Sequence, residues 1–139
     1  MLDLTGTLHR FAGLVSPVAQ AIGIAVAVSG LPLVVVAQET MGRSWRIGVD
    51  PGERTALVTE GPFRVIRNPI YTGMVLMALG IALMIPDALT LAGLALVLVA
   101  VELQARVVEE PHLVDCHGES YGRYAASSGR FVPGLGKLA

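Results

Sequence analysis

The sequence predicts an all-α membrane protein with about three transmembrane helices, two of them folded into a helical hairpin, with a polar loop and a polar C-terminal tail gathered on one side. Three observations predict it. Charged residues fill only 15% of the 139 positions against an ordinary ~25%, while hydrophobic residues fill 53% and the mean hydropathy is +0.65. Two apolar blocks are long enough to cross a bilayer, and the basic residues are spread unevenly around them. Such a composition excludes disorder, and a soluble chain of this size would have too small an interior for so many Leu, Val and Ala. A net charge of -1 lacks the basic surplus that a nucleic-acid partner demands. The single Cys116 excludes a disulfide scaffold.

The first element is a spanning helix over residues 11–38, FAGLVSPVAQAIGIAVAVSGLPLVVVAQ, which carries no charge. At ~1.5 Å per residue it exceeds the ~30 Å of the hydrocarbon core. It is much longer than the ~7–15 apolar residues of a cleavable signal peptide. Pro32 is expected to bend it or interrupt its hydrogen bonding, and Ser29 and Gly30 just before it point to close packing on a neighbour. A polar loop, residues 39–69, follows, with Gly42, Gly48, Gly52 and Gly61 as turn formers and with Arg43, Arg46, Arg54, Arg64 and Arg67. Trp45 among those arginines marks a headgroup level.

The second apolar block is divided by Ile85-Pro86-Asp87, a tight turn in which Pro starts a helix and Asp caps it. The hairpin arms are residues 70–85, about 24 Å long, and 88–108, the latter extending to about Glu110. Pro69 suits the first turn of the first arm. The tail then runs over residues 111–139. With three spans, the loop and tail share one side and, with Arg106 at the end of the second arm, hold nine of the ten basic residues, Arg10 being the tenth. That asymmetry places loop and tail in the cytosol and the N-terminus on the opposite side.

Antiparallel arms bring Arg67, at the foot of the first, to the depth of Glu109 and Glu110, at the end of the second. An arginine and two glutamates at a membrane interface are costly unless they pair or bind something. The plain alternative makes Arg64 and Arg67 positive-inside anchors, and the two acids a helix end frayed into water. His112, Asp115, Cys116 and His117 cluster, but without a histidine pair at helical spacing or a second ligand set, so no metal site is expected.

The strings GPFRVIRNPIYTG (residues 61–73), EEPHL (109–113), GESYGRY (118–124) and RFVP (130–133) resemble the C-terminal half of the isoprenylcysteine carboxyl methyltransferase and phospholipid methyltransferase group of integral membrane enzymes. MGRSWRIG (41–48) and LVTEGPF (57–63) are similar to that group as well. The resemblance implies S-adenosyl-L-methionine as cofactor, with S-adenosyl-L-homocysteine as product, held at the cytosolic face beneath a helical tail. It implies cofactor-binding roles for Gly61, Asn68, Pro69, Tyr71, Gly73, Glu109, Glu110, Tyr121 and Tyr124, and catalytic roles for Arg67 and Glu110. Asn68 stands where many members carry His; it keeps a donor and an acceptor but no proton-transfer capacity.

Methyl transfer from a sulfonium asks mainly for alignment and exclusion of water. Carboxylates suit the cofactor's amino group or ribose hydroxyls, and the Arg67 fork suits a carboxylate of cofactor or substrate. Tyr71, four residues on, is expected on the helical face of Arg67. Tyr121 and Tyr124 are expected to close as a lid over the adenosine, or else to moor the tail as an aromatic belt. The expected acceptor is a lipophilic small molecule or lipid arriving from the bilayer between the hairpin and the first span, membrane lipids being the surroundings and a second copy of the chain a candidate partner. The rival is a non-enzymatic assembly or transport subunit whose Arg and Glu form a structural pair.

Overall fold

The computed structural model describes residues 15–42 and 56–137. Residues 11–14 of the expected first span therefore lie outside the described residues, as do Arg10, Arg43, Trp45, Arg46, Gly48, Gly52 and Arg54. Among the described residues five α-helices follow in order, α1 (Pro17–Met41), α2 (Pro69–Met84), α3 (Ala88–Leu103), α4 (Glu110–His117) and α5 (Glu119–Ser127), with a short 3-10 turn at Gly61–Arg64 before α2. No strand is present among the described residues, where β pairing is limited to one isolated bridge between Ile66 and Gly129.

α1 starts where the sequence can cap it. The Ser16 hydroxyl accepts from the Ala19 N–H at 3.1 Å, and Pro17 occupies the first turn. It runs unbroken through Pro32 to Met41 and stops at Gly42, whose φ of 50° few other residues tolerate. Glu39, Thr40 and Met41, expected in the loop, thus extend the helix. α2 and α3 meet at the expected turn: Asp87 caps α3 through the Thr90 N–H at 2.8 Å, and the Thr90 hydroxyl accepts from the Asp87 N–H at 3.2 Å.

The second arm departs most from expectation. It does not end near Glu110: α3 continues through a π-helical turn, Gln104–Glu109, into α4, giving one helix over Ala88–His117. Proline normally breaks a helix because its ring presses on the carbonyl four residues back. Here the widened turn immediately before Pro111 supplies the room.

α1 and the Ala88–His117 helix are each long and apolar enough to cross a membrane, whereas α2 has only 16 residues. α2 lies between α1 and α3 and packs chiefly on α1. Four glycines set that contact. A Cβ on Gly80 would stand 2.4 Å from the Gly23 carbonyl oxygen, and one on Gly30 would stand 2.5 Å from the Gly73 carbonyl oxygen. Each pair member lies seven residues from the next along its helix, so two touching points sit on one antiparallel seam. The close packing expected at Gly30 is found there. Elsewhere α1 and α3 turn Val18, Leu31, Leu89 and Leu96 outward, the disposition of helices solvated by lipid. The fully buried large side chains, Pro69, Tyr121 and Ser128, lie at the polar end instead.

Gly80→Leu is expected to force the seam apart, since the first added carbon already meets Gly23 O and lies 2.5 Å from Ala27 N. A drop of about 2–3 kcal/mol in stability follows, read as a lower midpoint of thermal denaturation in detergent. Gly93→Leu on α3, with nothing within 4 Å, should melt at or above the wild-type temperature.

Candidate functional site

A cavity of about 630 Å³ opens at the polar end, within the size range of small-molecule sites. α1 contributes Val34, Gln38 and Met41 to its wall, the foot of α2 contributes Ile70, Tyr71 and Met74, and the long second arm contributes Gln104, Glu109, Glu110 and Leu113. Phe63, Arg67, Asn68, Pro69, Tyr121 and Tyr124 complete the side nearest the tail.

The segment before α2 is held by the C-terminal strap, residues 128–136. The Arg67 N–H donates to Gly129 O at 2.7 Å, the Asn68 N–H to Arg130 O at 3.1 Å, and Gly129 N–H to Val65 O at 3.0 Å. The Thr72 hydroxyl adds a bond to Phe131 O at 2.7 Å, and the Asn68 amide one to Arg130 O at 3.2 Å.

Inside this frame lies a buried ion triad. Arg67 Nη2 meets Glu110 Oε1 at 3.2 Å, while Arg130 clasps the same carboxylate with both prongs, Nε to Oε1 at 2.7 Å and Nη2 to Oε2 at 2.9 Å. Arg67 also donates to the carbonyls of Ala125 (2.8 Å), Ser128 (2.6 Å) and Gly136 (2.7 Å). Its Nε is the one buried side-chain polar atom without a partner among the described residues. Hydrogen bonding to Glu110 raises the Arg130 pKa further above its ordinary value.

Glu109 faces the other way. Its Oε1 accepts from the Tyr71 hydroxyl and, at 3.4 Å, from the Gln104 amide. Tyr121 and Tyr124 pack edge to face with ring centroids 6.1 Å apart, and the Tyr124 hydroxyl donates to Phe63 O at 2.8 Å. Burial pushes both phenols up to about 12, so they remain protonated donors at neutral pH.

Arg67 meets one of the twin acids, Glu110, while Glu109, Asn68, Pro69, Tyr71, Tyr121 and Tyr124 share its cavity. Four placements differ from what the sequence suggests. Gly73 is turned from the cavity onto the α1 seam, because only a residue without Cβ passes Val34 and Gly30 there. Gly61 is also absent from the wall; it makes a turn with φ 54° against Thr40. Arg67 precedes α2 rather than forming part of it, so helical periodicity does not relate it to Tyr71. Tyr121 and Tyr124 stand within α5 as a packed wall of the cavity, with Tyr121 only 1% exposed.

Arg130 belongs to the RFVP string but has no partner signalled in the sequence, and Gln104 belongs to none of the matching strings; the π turn that directs Gln104 has no sequence signature other than a proline in an apolar helix. His112 Nε2 lies 3.4 Å from Cys116 Sγ one turn along α4, and neither residue lines the cavity.

The family model for phospholipid methyltransferases matches residues 18–120. The nickel-cobalt-cadmium resistance protein NccN of Alcaligenes xylosoxydans xylosoxydans is 29% identical over 101 residues, which cover 72% of this chain and 47% of that protein. The eukaryotic intramembrane Ras methyltransferase ICMT (isoprenylcysteine carboxyl methyltransferase) has a similar structure, with a TM-score of 0.71 at 24% identity over 84% of this chain and 42% of that one. The chain spans about half the length of the curated relative that it matches.

Proposed function

The chain belongs to the phospholipid methyltransferase family, and from that premise we propose that it transfers the methyl group of S-adenosylmethionine to a lipophilic acceptor taken from the bilayer. The observation that carries this reading is the double character of the cavity. Val34, Met41, Ile70, Met74 and Leu113 make one part apolar and continuous with the helices, while Arg67, Asn68, Tyr71, Gln104 and Glu109 place convergent polar groups beside it.

The residues present fit the cofactor. Its amino group needs a carboxylate, which Glu109 supplies; its carboxylate needs a donor, and the Arg67 Nε has none of its own acceptors. Asn68 and the phenols of Tyr121 and Tyr124 suit the nucleoside. When bound, the cofactor supplies an electrophilic methyl on a sulfonium. The protein's share is to align the acceptor's nucleophilic atom with that carbon and keep water out, the methyl passing to the acceptor as the thioether leaves. The arginine-rich end faces the cytosol by the positive-inside rule. The acceptor is an isoprenylcysteine-like carboxylate, a lipid amine or another lipophilic small molecule, and a second copy of the chain is a candidate to complete its side of the cavity.

Both oxygens of Glu110 are taken by Arg67 and Arg130, as a structural subunit without catalytic activity would also require. Titration calorimetry with S-adenosylhomocysteine separates the two. Saturable binding, weakened about 10-fold or more by Asn68→Ala, is the expected result. Absence of binding into the millimolar range overturns the enzymatic reading. Mass spectrometry of membrane extracts incubated with the cofactor then identifies the acceptor as the species that becomes one methylene heavier.

A further inference from the structure

We propose that the π turn is the positioning device of the cavity, and that Gln104, acting across it, holds Glu109 toward the bound ligand. The inference rests on the methyltransferase reading for the identity of that ligand and on the backbone for the rest. In an α-helix each residue turns by ~100°, so residues five apart point ~140° away from one another. An i→i+5 turn stacks them instead. The Glu110 N–H donates five residues back, to Ala105 O, and the Gln104 amide reaches Glu109 at 3.4 Å. Both side chains line the cavity.

The extra residue divides two adjacent acids between two tasks. Glu110 is taken by Arg67 and Arg130. Glu109 receives its hydrogen bonds from neutral groups, the Tyr71 hydroxyl and the Gln104 amide. Neutral donors fix a carboxylate in place without cancelling its charge, which is then free to meet a cation. An α-helical turn would send Gln104 and Glu109 to different sides and leave that carboxylate without its second tether.

Calorimetric titration of the detergent-solubilised chain with S-adenosylhomocysteine, whose ammonium is the cation offered, tests this. Gln104→Leu is expected to weaken binding about 10-fold, and Glu109→Gln at least as much. The double variant should lose no more than Glu109→Gln alone, because Gln104 acts only through Glu109. Arg106→Ala, in the same turn but outward-facing and paired only with Glu102, should bind as wild type. If the leucine variant does not fold, Gln104→Met keeps the length of the side chain and removes the amide. Wild-type affinity in the Gln104 variant, or additive losses in the double variant, overturns the assignment while the methyltransferase reading stands. Failure of the wild-type chain to bind overturns both.

Discussion

Glu110→Gln is expected to destabilise the protein more than any other exchange in the cavity wall. Its carboxylate is the shared counter-charge of two guanidinium groups, Arg67 and Arg130, which are 6% and 8% exposed. The amide has the same shape but no charge, and its NH2 confronts an arginine donor. Removing one partner of a buried ion pair costs about 3–5 kcal/mol, and here two cations are left behind. The midpoint of thermal denaturation in detergent measures the loss. Arg67→Ala should cost less, because Glu110 keeps both prongs of Arg130. Adding Arg130→Met to Glu110→Gln should recover part of the stability by removing one of the stranded charges. If the single variant melts with the wild type, the triad is not the frame of the site.

Gly129→Ala ranks next. A Cβ there would stand 1.9 Å from the Val132 carbonyl oxygen and 2.9 Å from Gly134 N, both backbone atoms that no rotamer change can move. The strap must leave its place beside residues 65–68, taking with it the acceptor of the Arg67 N–H and the carbonyls of Ser128 and Gly136. Roughly 3 kcal/mol of stability should be lost, together with S-adenosylhomocysteine binding, while the α1–α2 seam persists. Limited proteolysis is expected to cut the tail of this variant first. Gly122→Ala, on α5 with open space around it, is the matched control and should be neutral.

The sequence made the apolar layers legible because lipid solvation imposes length and charge rules that need no knowledge of neighbours. The Ile85-Pro86-Asp87 turn was readable for the same reason, its capping residues acting locally. Antiparallel arms alone put Arg67 at the depth of the two acids, while a plain positive-inside anchor fitted the same spacing. What escaped depended on tertiary context. Pro111 reads as a stop, and only the π turn before it makes it a passage. Arg130 is separated from Glu110 by α4, α5 and a reversal of the chain, so its bidentate clasp has no local signal. Gly73 sits inside a motif shared with a family, and the contact with α1 that its missing side chain permits has no local signal.

The strap has a consequence for biosynthesis. Arg67 finds its carbonyl partners 58 to 69 residues further along the chain. Those partners are the last part of this frame to be synthesised, so the Arg67 guanidinium lacks its carbonyl acceptors until the chain has been made as far as Gly136. The α1–α2 seam needs none of those partners, so a chain that stops short of the strap would keep its helix pair and lack the frame that closes around Arg67.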